Sequence, residues 1–202
     1  MRARSKHDAA LLAACLGLGA IATPAQSAEL AASCPVTDTT DMISRAYPWR
    51  VVNDDVMGGR SLGDAGFVEG TIAFVGAINT NGGGFSSIRT AVPAGELVGA
   101  TGVALRIKSD GQPYQITFRT TARYGWRPVS YQAVFPAAPK DEWAGIYIPF
   151  SALVPKVFGR RVQGGPFDPA TVREVGVILS GVPDGPFQLE LDQLRVCKDS
   201  RT

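Results

Sequence analysis

From Val68 to Val196 the chain is a succession of short segments in which apolar and polar residues alternate, each closed by Gly, Pro, Asn or Asp. Gly102–Lys108 places Val103, Leu105 and Ile107 on one side and Arg106 and Lys108 on the other. Tyr114–Thr120 places Tyr114, Ile116 and Phe118 opposite Gln115, Thr117 and Arg119. Further segments lie at 68–75, 85–90, 131–135, 145–150, 175–179 and 187–196. Period-two alternation at this spacing gives strands with one buried face. Eight or so of them predict an all-β antiparallel sandwich, with at most short helical turns at Asp41–Arg45 and after Asp168-Pro169.

The first 28 residues read as a secretory signal peptide. A basic start (Arg2, Arg4, Lys6) precedes an apolar run from Ala9 to Ala22 and a small-residue tract ending at Ala28. The run is too short to span a bilayer, and no other stretch is long enough. Leu12-Ala13-Ala14-Cys15 has the look of a lipid-attachment box, but the apolar run continues past Cys15, which favours cleavage by signal peptidase. Export to the periplasm is therefore the expectation, with residues 29–202 forming one β-sandwich domain.

Of 20 basic and 18 acidic residues, Arg2, Arg4, Lys6 and Asp8 lie in the leader, so 17 of each remain. A near-neutral mature chain gives no case for nucleic acid. The single histidine, His7, also lies in the leader. Without it there is no Ser-His-Asp or Cys-His catalysis and no His-ligated metal. Two cysteines remain, Cys34 and Cys197, and in an oxidising compartment they are expected to pair. Neither a cofactor nor a metal is expected.

Trp49–Ser61, W-R-V-V-N-D-D-V-M-G-G-R-S, is the densest motif. Its Asn53-Asp54-Asp55 cluster and Gly58-Gly59 make a turn after Val51 and Val52. The carboxylates have two uses there, holding backbone N–H groups within the turn or presenting oxygens to a ligand.

The ordered motifs resemble the NADH:ubiquinone oxidoreductase complex I intermediate-associated protein 30 family. Besides 49–61 they are N-G-G-G-F-S-S-I-R at 81–89, S-D-G-Q-P-Y at 109–114 and Y-Q-A-V-F at 131–135. W-A-G-I-Y-I-P-F-S at 143–151, F-G-R-R at 158–161 and G-P-F-Q-L-E-L at 185–191 follow, so the likeness spans about 47–196. The resemblance implies a galactose-binding-domain-like jelly roll and a non-catalytic role. Mitochondrial members are assembly factors that bind membrane-arm intermediates of respiratory complex I. Within the motifs Trp49, Asn53, Gly58, Gly59, Gly83, Gly84, Phe85, Asp110, Gly111 and Tyr114 read as structural positions. Ser109 and Pro113 depart from the family pattern, and both sit in a turn.

Candidate binding residues are Asp54, Asp55 and Met57 in the first motif, and Arg89, Arg106, Arg119 and Tyr131 on a shared open sheet face. There forked guanidinium donors would grip carboxylate, phosphate or sugar hydroxyls, with Asp54 or Asp55 as partner to Arg89. Trp126, after Tyr124-Gly125, reads as a loop aromatic and is a further candidate for ligand contact, and Trp143 reads as core. Glu190 and Asp192 stand at the i, i+2 spacing of jelly-roll glycosidases, but Leu194 replaces the third acid. Two partner classes remain: a protein, namely a membrane respiratory complex or its assembly intermediate, and a carbohydrate.

Overall fold

The computed structural model describes Cys34, residues 38–41 and residues 48–198. The leader, Cys15 and most of the helical turn expected at Asp41–Arg45 lie outside them. The described residues contain β1 (Asp38–Asp41), β2 (Arg50–Asn53), β3 (Leu62–Val68), β4 (Thr71–Ile78), β5 (Phe85–Ala91), β6 (Ala100–Ser109) and β7 (Gln115–Tyr124). They continue with β8 (Arg127–Val134), β9 (Trp143–Pro149), β10 (Val154–Val157), β11 (Arg160–Arg161), β12 (Val172–Ser180) and β13 (Gly185–Lys198). Three short 3-10 turns are the only helical pieces there.

The strands form two antiparallel sheets, which makes the chain an all-β jelly-roll sandwich. One sheet runs β3-β4-β13-β6-β9, with β1 pairing the far end of β13. The other runs β11-β10-β8-β7-β12-β5-β2. Alternation decides which side chains fill the space between them. Ile72, Phe74, Leu105, Ile107, Leu189 and Leu191 come from the six-stranded sheet. Ile88, Ile116, Phe118, Val175, Val177 and Leu179 come from the seven-stranded one. Phe118, Phe150 and Phe167 pack with ring centroids 4.8–5.4 Å apart at one end.

The sequence pattern does not announce β1, β3, β10 or β11. β2 is the short strand that leads into the turn expected after Val51 and Val52, whereas β10 and β11 are too short to show a period. In β3, Gly63 and Gly66 interrupt the pattern, and most of its residues are exposed as an edge strand's are. The 68–75 segment is the middle of a β3–β4 hairpin that turns at Glu69 and Gly70. The turn after Asp168-Pro169 forms as expected, with Asp168 accepting from the Ala170 N–H at 2.9 Å.

Cys34 and Cys197 form the disulfide, with Cα atoms 5.3 Å apart and a sequence separation of 163. In the chain-entropy account a bridge over so long a loop contributes about 5 kcal/mol. It ties the start of the described chain to β13 beside the β1–β13 pairing. No helix among the described residues is long and apolar enough to cross a membrane.

Candidate functional site

The Trp49–Ser61 motif folds around one carboxylate. β2 ends at Asn53, and a 3-10 turn over Asp54–Met57 follows, closed by Gly58 in the left-handed conformation. Asp54 is 0% exposed. Its Oδ1 accepts from the Ser61 N–H at 2.8 Å, and its Oδ2 accepts from Ser61 Oγ at 2.6 Å and from Gly84 and Phe85 N–H at 2.5 and 3.2 Å. Burial alone would raise this carboxyl, but the four hydrogen bonds outweigh it and hold the group below 3.8.

The two glycine motifs are halves of one cradle. A Cβ on Gly59 would fall 2.2 Å from Asp54 Cγ, and one on Gly83 would fall 2.3 Å from Asp54 Oδ2. Only glycine admits the carboxylate between these two backbones. Asn53 adds a second clasp, as its Oδ1 accepts from Ser86 Oγ at 2.6 Å and its Nδ2 donates to the Gly63 carbonyl at 3.3 Å. Trp49 packs against the core beneath. Asp55, by contrast, is exposed, and its carboxylate accepts from its neighbour's N–H, at Val56. Met57 is 58% exposed, beside the exposed Val56.

The expected partnership of Arg89 with Asp54 or Asp55 is not made, because the first carboxylate is saturated and the second bonds its own turn. Arg89 Nε donates to Ser87 Oγ at 3.1 Å. Its side chain crosses Gly176 on β12, where a Cβ would meet Arg89 Cγ at 2.8 Å. Arg89 shares the outer face of the seven-stranded sheet with Arg50, Arg119 and Glu174. Arg50 Nη2 lies 2.5 Å from Glu174 Oε1, and Arg119 Nη1 lies 3.7 Å from Glu174 Oε2. Burial, then the charge of Arg119, lowers the Arg89 guanidinium to about 10; Glu174 pulls the other way and Arg50 adds to the depression. Between these charges lie Ser87, Gln115, Thr117 and Gln132, polar side chains that point away from the core and are nonetheless buried by their neighbours. Lys156 Nζ donates to Gln115 Oε1 at 2.7 Å across the same face, and its burial lowers its pKa.

Two residues expected on that face are elsewhere. Arg106 is on β6, in the other sheet, where it pairs with Asp192 and stacks over Trp143 at 4.6 Å. Trp143 is thus an outer-face residue of the six-stranded sheet, not core. Tyr131 lies opposite Phe118 and turns inward with it. Its ring packs 5.2 Å from Phe167 and its hydroxyl donates to the Gly165 carbonyl at 3.0 Å.

Glu190 pairs with Lys108 at 3.1 Å, as Asp192 does with Arg106, so both acids of the glycosidase-like spacing are engaged in cross-strand ion pairs. Among the described residues no group of three or more His, Cys, Asp or Glu side chains is placed to hold a metal.

Asp110 joins the β6–β7 turn to β13. Its carboxylate accepts from Gln112 N–H at 3.1 Å and from Gln188 N–H at 2.9 Å, while Gly111 supplies the positive φ of 83°. Tyr114 is wholly buried, and burial together with the Asp110 charge pushes its phenol upward. Trp126 is on the β7–β8 turn, 74% exposed. Glu174 escaped the sequence reading although Val175 and Val177 alternate inward beside it. Ser61 escaped because a serine at the end of a motif announces no partner.

The sequence model of the family described as Complex I intermediate-associated protein 30 matches residues 38–191. No curated protein shows significant similarity to the chain. Among solved structures, the chain is similar to the family 11 carbohydrate-binding module of cellulosomal cellulase Lic26A-Cel5E of Clostridium thermocellum. That match has a TM-score of 0.59 at 13% identity, over 81% of this chain and 96% of the module. A family 11 module from Clostridium thermocellum in complex with a beta-1,3-1,4-mixed-linked tetrasaccharide gives 0.58 at 13%, over 80% and 96%. A family 30 carbohydrate-binding module gives 0.50 at 14%, over 81% and 94%. At such identities the likeness is one of fold.

Proposed function

The chain belongs to the complex I intermediate-associated protein 30 family, and on that premise we propose that it is an exported, non-catalytic module that docks on a membrane-protein complex or its assembly intermediate. The observation that carries this reading is the form of the first motif. A saturated, buried Asp54 makes the turn rigid, and the rigid turn presents Asp55, Val56 and Met57 outward. Leu62, at the start of β3, is exposed as well. A preorganised apolar patch beside an exposed carboxylate costs little ordering on binding, and methionine is common in protein interfaces. Cross-linking in living cells followed by affinity purification tests it. A membrane complex recovered with the wild type and lost with Met57→Ser supports docking through this turn. Recovery of no partner, with respiratory complexes unchanged in a deletion strain, overturns it.

A second reading, a periplasmic carbohydrate-binding module, draws on a different region. The outer face of the seven-stranded sheet offers Arg89, Arg119, Gln115 and Gln132 as hydrogen-bond donors for hydroxyls. Similar folds in the solved structures belong to carbohydrate-binding modules, one of them holding a mixed-linked tetrasaccharide. Calorimetric titration with mixed-linked glucan decides: saturable heat lost on Arg89→Gln or Trp126→Ala supports it, and no heat removes it.

A further inference from the structure

Two hairpin turns meet at one margin of the seven-stranded sheet. The β7–β8 turn holds Gly125 and Trp126, and the β10–β11 turn holds Phe158 and Gly159. Arg127 joins them, its guanidinium carbon 5.1 Å from the Trp126 ring centre and 5.4 Å from that of Phe158. Arg123 Nη1 donates to the Trp126 carbonyl at 2.9 Å, which fixes the first turn.

Three aromatic rings stand in solvent there: Trp126 at 74%, Phe158 at 61% and Tyr124 at 51% exposed. Phe158 has a φ of 47°, a conformation that bulky L-residues avoid and that Asn or Gly fills in a two-residue hairpin. Neither backbone preference nor burial accounts for a phenylalanine at this position. The charge is as one-sided as the exposure. Arg123, Arg127, Arg160 and Arg161 are all exposed, and residues 121–139 and 153–167 contain no Asp or Glu.

Exposed Trp, Tyr and Phe among unopposed arginines is the composition of the water–bilayer boundary. Amphipathic rings settle at headgroup depth, and guanidinium groups fork onto lipid phosphates. We propose that the paired turns of β7–β8 and β10–β11 are a docking surface for an anionic phospholipid membrane. The excess of positive charge favours an acidic lipid over a neutral one, and the arginine lodged between two rings places charge and apolar area at one depth. This goes beyond docking on a membrane-protein complex, since here lipid itself is the ligand.

Co-sedimentation of the full chain with vesicles tests the proposal. Vesicles of one-third phosphatidylglycerol in phosphatidylcholine are expected to bind about tenfold or more tightly than pure phosphatidylcholine, with the difference shrinking as salt rises. Trp126→Ala and Phe158→Gly are each expected to weaken partitioning several-fold, and Arg160→Gln with Arg161→Gln to remove the preference for the anionic lipid. Glycine suits the left-handed turn at 158, so that variant keeps its fold, which circular dichroism verifies. Met57→Ser leaves vesicle binding unchanged, which separates this surface from the protein-docking turn. No binding to anionic vesicles, or wild-type binding by the Trp126→Ala and Phe158→Gly variants, overturns the proposal. Glucan binding lost on Trp126→Ala with vesicle binding unaffected would also overturn it, assigning the turn to sugar.

Discussion

Asp54, just after β2, and Glu174, on β12, are carboxylates of the same half of the sandwich, but they meet different company. Asp54 is sealed from water and accepts hydrogen bonds from three backbone N–H groups and a hydroxyl, all neutral. Glu174 lies among Arg50, Arg119 and Arg89, one negative charge against three positive ones. The outer face of the other sheet gives the reference for balance, with Lys108 matched to Glu190 and Arg106 to Asp192. Where each polar group is answered, the residue serves the fold. Where charge is left over, as around Arg89, lies the face on which the carbohydrate reading rests.

The largest expected effect lies on the Asp54 side of this comparison. Asp54→Ala strands several buried donors at once, and unfolding in denaturant is expected to show a loss of about 4 kcal/mol. Asp54→Asn is expected to cost less, because one oxygen survives, but its amide hydrogens face N–H groups. If Asp54→Ala changed stability by less than about 1 kcal/mol, the cradle would not be the keystone of this edge.

The same cradle shows what the sequence could and could not reveal. Its residues were all visible in two glycine-rich motifs, yet nothing local says that Gly59 and Gly83 close on one carboxylate. Alternation was equally informative and equally limited. It set which side of its strand Arg106 occupies, but the sheet to which that strand belongs is fixed by β6 pairing with β13 and β9, a long-range outcome. For Tyr131 the signal was present and was misread. Ser130 and Gln132 are the polar alternates of β8, so Val129, Tyr131 and Ala133 had to face inward. Phe158 was beyond reach, because a two-residue turn between two short strands leaves no period.

Acid sharpens the comparison through the same group. The Asp54 carboxyl is lowered from 3.8 in the folded chain, so unfolded chains bind its proton first as pH falls. Its contribution is therefore complete above about pH 5, declines as pH falls through the ordinary carboxylate range, and is gone below the folded value. Stability measured from pH 6 to pH 2 should fall steeply in the wild type and less steeply in Asp54→Asn. Parallel slopes would mean that other carboxylates dominate acid unfolding.

On the other side the sign is expected to reverse. Arg89 is charged, partly desolvated and next to two further cations, so its presence carries a cost in the unliganded protein. Arg89→Gln is expected to leave stability unchanged or raise it by up to about 1 kcal/mol, while weakening capture of any ligand that the face holds. Arg106→Gln, on the matched face, is expected to lower stability by up to about 1 kcal/mol. Thermal melts of the two variants side by side test this. A clear loss from Arg89→Gln would place it with the structural residues.

The smallest expected effect on stability separates the two neighbours in the first motif. Asp55 is exposed, and its carboxylate accepts from the Val56 N–H within its own turn. Asp55→Ala should therefore change unfolding stability by no more than about 0.5 kcal/mol, an order of magnitude less than the same change one position earlier. If the turn docks a protein, Asp55→Ala nonetheless reduces recovery of the cross-linked partner, because the patch of Val56 and Met57 loses the carboxylate beside it. Loss of recovery with the melt intact assigns Asp55 to the interface and Asp54 to the cradle. Intact recovery in Asp55→Ala leaves the apolar pair as the docking element, and Met57→Ser then carries the whole effect.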